Sequence, residues 1–146
     1  MGNLKIYHRY IKCLFLALFL GVQGAVVSPV YAQEIIANPS IPDKSINIQV
    51  ARAIFAGKIR NWKNGQPIRL FMFAHSDPKH IKFCKERIDV FPRQLRRAWD
   101  RITYTGMSEG PIYVDSEEEM LKLVSQTPGA IGYVIDLHNG AEAYVI

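Results

Sequence analysis

The sequence predicts an α/β fold in which a sheet is flanked by helices. Three observations carry this expectation. Apolar residues recur at helical spacing in several places, most completely at Leu95, Ala98, Trp99 and Ile102. Short apolar runs, Ile68 to Ala74 and Ala130 to Val134 among them, alternate with those helical stretches. Proline and glycine breakers stand between the two kinds of segment, with no internal repeat and no low-complexity tract.

The elements follow in order. Met1 to Lys12 holds three basic residues and no acidic one, and Cys13 to Val22 is a short apolar run. That run is too short for the ~20 residues a bilayer span needs. Val30-Tyr-Ala32 ends on a small residue, so 1–32 has the layout of a cleaved secretory signal peptide and 33–146 is the remaining domain. An uncleaved anchor is the competing reading, because apolar residues continue to Val27. Cys13 precedes the apolar core and so is not placed like a lipoprotein cysteine.

Glu34 to Ala37 reads as a strand, broken by Asn38-Pro-Ser-Ile-Pro42, since proline fixes φ and donates no hydrogen bond. Asp43 or Ser45 can cap the next helix. Its face is Ile46, Val50, Ala53 and Ile54, widened by Ile48 and Phe55. Gly57 can take the left-handed conformation that ends a helix. Trp62 is a large apolar anchor, and Asn64-Gly65 is a turn. Ile68 to Ala74 is apolar almost throughout, which suits a strand covered on both faces. Asp77 caps the following helix and Pro78 opens it; Ile81, Cys84 and Ile88 form its face, with Phe83 beside them.

Pro92 begins the Trp99 helix. Gly106 and Gly110-Pro111 mark a loop, and Ile112 to Val114 a strand. Ser116-Glu-Glu-Glu119 is a capping box, with Met120, Leu121 and Val124 as the buried face behind it. Pro128-Gly129 ends that helix before the strand at 130–134. Ile135 to Ile146 reads as an edge hairpin around Asn139-Gly140.

A chain of 146 residues makes one domain. Its formal charge is +5, of which Lys5, Arg9 and Lys12 supply three, so the rest carries only +2. That balance argues against nucleic-acid binding. Trp62 and Trp99 are not interleaved with evenly spaced basic residues, so they read as core anchors, not stacking platforms. Of the two cysteines Cys13 lies in the leader, so Cys84 has no internal partner after processing. It reads as a buried, inert thiol, the alternative being a bond between chains.

Ile54-Phe-x-Gly-Lys-x-x-x-Trp62 is followed much later by Gly129-Ala-Ile-Gly-Tyr133, with the Trp99 helix between them. Motifs in this order resemble the phosphate-type substrate-binding proteins of ABC transporters, periplasmic proteins built from two α/β lobes. The resemblance implies a single lobe of periplasmic binding protein type II with a mixed sheet. It also implies export to the periplasm, no catalysis, no cofactor and a small anion such as phosphate as ligand. At the end of the second strand the family places an arginine, three residues and Ser-Gly-Thr around the anion. Here Ser76 matches the serine, Met72 stands for the arginine, and Asp77 and Pro78 replace the glycine and threonine. Ser76, Asp77 and the adjacent His75 are therefore the candidate ligand-binding residues. Helix N-termini attract anions through free N–H groups and the dipole. Asp77 sets a carboxylate in that position, Pro78 removes a donor and Met72 removes a bidentate cation. A plain helix cap is the alternative role. One lobe is one wall of a cleft, which leaves much of a small ligand in water unless a second wall is supplied.

Arg93, Arg96 and Arg97 on the Trp99 helix are candidate partner-binding residues, for an acidic membrane or periplasmic protein or anionic lipid heads; otherwise they form a solvated face. His80 and Cys84 lie four apart on one helix, a spacing that suits a metal or an activated thiol. No third ligand is indicated, so neither a metal site nor an enzyme is expected. The function expected overall is exported binding of a small anion. The alternative is a periplasmic interaction or sensory module that kept the fold without the ligand site.

Overall fold

The computed structural model describes residues 33–43, 45–135 and 144–145. The leader and the Asn139-Gly140 turn lie outside the described residues. Strands β1 (Glu34–Ala37), β2 (Arg69–Phe73), β3 (Ile112–Val114), β4 (Ala130–Val134) and β5 (Tyr144–Val145) form one mixed sheet in the order β3-β2-β4-β1-β5. β2 runs parallel to β3 and β4, whereas β1 is antiparallel to β4 and β5. Helices α1 (Ile48–Phe55), α2 (Pro78–Lys82), α3 (Pro92–Tyr104) and α4 (Glu117–Gln126) complete the described fold. The mixed α/β architecture expected from the sequence is therefore what the chain adopts.

β4 is buried along its whole length, as its unbroken apolar run requires. Alternate side chains of a strand face opposite sides. On one side Gly132 admits α4 so closely that a Cβ there would stand 2.5 Å from Met120 Sδ. On the other side Tyr133 stacks on Phe83 at 3.7 Å between ring centroids and meets Phe55 and Phe73 edge-on. Met120 and Val124 are the buried residues of α4, and Leu121 is only partly covered.

The Ile54–Trp62 stretch fastens this core to its surroundings. Gly57 ends the α1 region at φ +70°, and a Cβ there would also collide with Ile102 at 2.4 Å. Trp99 Nε1 donates to the Phe55 carbonyl at 2.7 Å, which docks α3 on the end of α1. Trp62 Nε1 donates to the Gly129 carbonyl at 3.0 Å, so the two motifs far apart in sequence meet through one hydrogen bond. Gly129 takes φ +75° and has no room for a Cβ, which would sit 2.6 Å from the Pro67 carbonyl oxygen. Asn38 is buried after β1 and donates to the Val124 and Ser125 carbonyls, closing the C-terminal end of α4.

Four local expectations are corrected. α1 is capped by Asn47, whose side chain accepts from Val50 N, and not by Asp43 or Ser45. The nearer residue wins because a cap must reach the second or third helical N–H. On α2 the buried residue is His80; Ile81 is only half-buried. Beyond α2 the helix widens into a π turn over Phe83–Arg87, with Ile88 N donating to the Phe83 carbonyl, and Asp89 at φ +50° ends it. In the Ser116 box, Ser116 Oγ accepts from Glu119 N as expected, but Glu119 reaches back to Asp115 N. β5 lies at the sheet edge, paired with β1, and the rest of the expected edge hairpin falls outside the described residues.

Candidate functional site

In a sheet of this type, ligands gather at the carboxyl ends of parallel strands. β2 ends at Phe73, and a tight turn follows in which Asp77 N donates to the Ala74 carbonyl at 2.9 Å. That turn sets His75 half-buried, Ser76 exposed and Asp77 half-buried at one corner. Asp77 caps α2 by accepting from Lys79 N at 2.7 Å, and Pro78 supplies no N–H. The charge favoured at this helix start is thus already provided by the chain itself. Met72 is fully buried among the core residues, so it offers nothing to a ligand.

β3 lies parallel to β2, with Tyr113 in register with Met72. Tyr113 Oη and His75 Nε2 are 2.8 Å apart, and the rings meet edge-on at 5.4 Å. His75 Nδ1 is buried and has no hydrogen-bond partner among the described residues. Burial lowers the His75 pKa; the Arg96 charge lowers it further, and Asp100 opposes that. Burial raises the Tyr113 pKa, with Asp100 raising it and Arg96 lowering it. Arg96 and Asp100 pair across one turn of α3 at 3.8 Å. The corner therefore joins the His75–Ser76–Asp77 turn to Tyr113 of β3, and the Arg96 charge on α3 acts on both rings. Arg93 and Arg97 are exposed on the same helix. Lys79, from α2, lies 4.9 Å over the Phe73 ring and helps hold the Glu118 carboxyl below its ordinary pKa, after the backbone N–H and Ser116 hydrogen bonds that do most of this.

Behind the corner lies a buried polar chain. Phe73 N donates to Tyr133 Oη at 3.2 Å, and Tyr133 Oη lies 2.7 Å from His80 Nδ1. His80 Nε2 lies 3.4 Å from Cys84 Sγ. A neutral His80 protonated on Nε2 satisfies all three contacts, with the tyrosine hydroxyl donating to Nδ1. Burial pushes the Cys84 thiol up to about 12, so it is no thiolate nucleophile near neutrality. These side chains form a structural relay, and among the described residues no cluster of three or more His, Cys, Asp or Glu side chains is placed to hold a metal ion.

The relay has a measurable acid sensitivity. Burial, then the His75 charge, push the His80 pKa from 6.5 down to about 4, with Asp77 opposing. Between those values the unfolded chain binds a proton that the folded chain refuses. Stability is then complete above about pH 6.5 and falls as the pH drops toward 4, by ~3 kcal/mol in all. Urea melts at a series of pH values across this window should show that slope. His80→Gln should flatten it; an unchanged slope in that variant would show that other groups set the acid limit.

No protein-family model matches the sequence, and no curated protein matches it. Solved structures do. A putative phosphate ABC transporter substrate-binding protein with bound phosphate from Clostridium perfringens aligns with a TM-score of 0.62 and 19% identity, over 78% of this chain and 43% of that one. An ABC-type phosphate transport receptor from Vibrio cholerae aligns with a TM-score of 0.56 and 18% identity, over 78% and 44%. PstS from Borrelia burgdorferi aligns with a TM-score of 0.53 and 21% identity, over 70% and 40%. This chain spans less than half the length of each of them, and what it shares with them is the fold of that part.

Proposed function

We propose that this chain is an exported, non-enzymatic binding lobe that takes a small phosphate-like anion at the carboxyl end of β2. The observation that supports it is the Tyr113–His75 hydrogen bond beside the exposed Ser76 hydroxyl, within reach of the Arg96 charge. Arg96 supplies the cation that Met72 does not, from α3 instead of from the strand. Ser76 and Tyr113 supply hydroxyl donors, and Arg93 and Arg97 add positive potential nearby. Asp77 opposes the anion, so the affinity is low, and a second wall from another chain would raise it. Export rests on the leader at 1–32, and a periplasmic location on the family resemblance.

A second reading keeps the fold and the periplasmic location but makes the arginine face a docking surface for an acidic membrane or periplasmic protein. The Asp77 cap and Pro78 favour it, because they fill the helix start with the chain's own groups.

Thermal melting with added phosphate or sulfate separates the two. Stabilisation grows as RT ln(1 + [L]/Kd), so a site of ~100 µM affinity gains about 2.7 kcal/mol at 10 mM ligand. Arg96→Glu should abolish that gain while the ligand-free melting temperature stays within a few degrees. If no anion raises the melting temperature, the docking reading takes precedence.

A further inference from the structure

At the other end of β2, its amino end, a cavity of about 450 Å³ opens between β2, α3 and the loop before β3. That volume lies within the ~300–1,000 Å³ range of small-molecule sites. Its floor is apolar, with Ile54, Leu70 and Trp99 each almost fully buried. Its walls hold three apolar side chains that stay unusually open to solvent: Ile59 at 37%, Ile112 at 41% and Met107 at 56% exposed. Two cations share the rim. Ile68 N donates to the Arg60 carbonyl at 2.8 Å, which sets Arg60 beside the start of β2 and hence beside Arg69. Arg60 has no side-chain hydrogen bond or ion pair among the described residues, whereas Arg69 pairs with Glu109 at 2.9 Å. Both members of that pair are largely exposed, at 51% and 88% of their side chains, so the bond is weak and exchangeable.

Exposed apolar side chains bordering a largely polar cavity surface, a guanidinium with no partner among the described residues and a second guanidinium held by a replaceable carboxylate call for one kind of ligand. We propose that this cavity is a binding site for a small organic carboxylate with an apolar body. The ligand carboxylate takes the place of Glu109 on Arg69 and pairs with Arg60, and its body covers Ile59, Met107 and Ile112. Arginine suits that task because its planar fork meets a carboxylate through two parallel hydrogen bonds. Glu109 acts as a built-in competitor that keeps the site closed to weak anions. The site stands apart from the Ser76 corner and does not depend on that corner binding anything.

Octanoate is the probe, titrated into the purified protein while the Met107 and Ile112 methyl resonances are followed by NMR. The expected result is saturable shifts at both methyls, with 1-octanol binding at least tenfold more weakly. Arg60→Gln should weaken octanoate about tenfold, the worth of a charge-assisted hydrogen bond. Glu109→Gln should strengthen it by up to about fivefold, the worth of an exposed ion pair. Arg96→Glu should leave it unchanged, so failure of the phosphate reading and failure of this one are separable. All three variants change exposed side chains, and an unchanged melting temperature is the check that each keeps the fold. Absence of saturable shifts overturns the proposal. So does equal binding of 1-octanol, or an octanoate affinity that Glu109→Gln fails to raise.

Discussion

Tyr133→Ala is expected to cost about 4 kcal/mol, the range for emptying a buried aromatic site. A domain of this size has ~5–15 kcal/mol in total, so the variant should melt far below the parent or fail to fold. The reason is position. Tyr133 is fully buried, stacks on Phe83, and meets Phe55 and Phe73 edge-on. It therefore holds α1, β2 and the π turn together from one place on β4. Its hydroxyl adds a second, separable term. Tyr133→Phe keeps the ring but leaves Phe73 N and His80 Nδ1 without their shared partner. That change should cost ~1–3 kcal/mol, the price of buried groups left unpaired. Urea denaturation followed by circular dichroism measures both. A Tyr133→Ala variant within 1 kcal/mol of the parent would remove this residue from the centre of the core.

Trp62→Ala is the next largest, at about 3–4 kcal/mol. Trp62 is 5% exposed and lies between the turn at Gly65 and the Gly129 carbonyl. The loss is mainly apolar burial, because Gly129 O keeps a second donor, Arg69 N at 3.1 Å. Trp62→Phe should therefore lose only about 1 kcal/mol, since it retains much of the ring area and orphans no carbonyl. If Trp62→Phe were as damaging as Trp62→Ala, the indole hydrogen bond would outweigh the packing. Thermal melts of the two variants decide between these terms.

Much of the fold was legible before the structure, and the reasons are local. β4 and the helix that begins at Pro92 match their sequence reading because an unbroken apolar run and a complete helical stripe each have one sensible environment. Gly57, Gly65 and Gly129 all take the positive φ that their places after helices or in turns require. The misses lie where the deciding partner is distant or the choice is fine-grained. His80 is a polar residue with an ordinary helix position. Its burial depends on Tyr133, 53 residues away, which no spacing rule reveals. Asn47 was available as a cap, sitting directly before Ile48, but Asp43 and Ser45 satisfied the same preference. Strand pairing was the least readable: nothing local says that β1 separates β4 from β5.

The candidate site was legible in part. His75, Ser76 and Asp77 share one turn, as their adjacency requires, and the Asp77 cap follows from the Asp-Pro pair. The meeting of that turn with Tyr113 is tertiary, as is the pairing of Arg69 with Glu109 across the other end of β2. Each joins residues from separate elements, so composition and periodicity were silent on both.

The pairing of β1 with β4 sets a timetable for the newborn polypeptide. Glu34 is in register with Val134, so the first strand to leave the ribosome must wait for a segment about a hundred residues behind it. At ~5–20 residues per second, that wait lasts about 5–20 seconds, during which Ile35 and Ile36 have no sheet to enter. Such distant pairing slows folding. Until β4 has been made, the sheet cannot close around its own beginning.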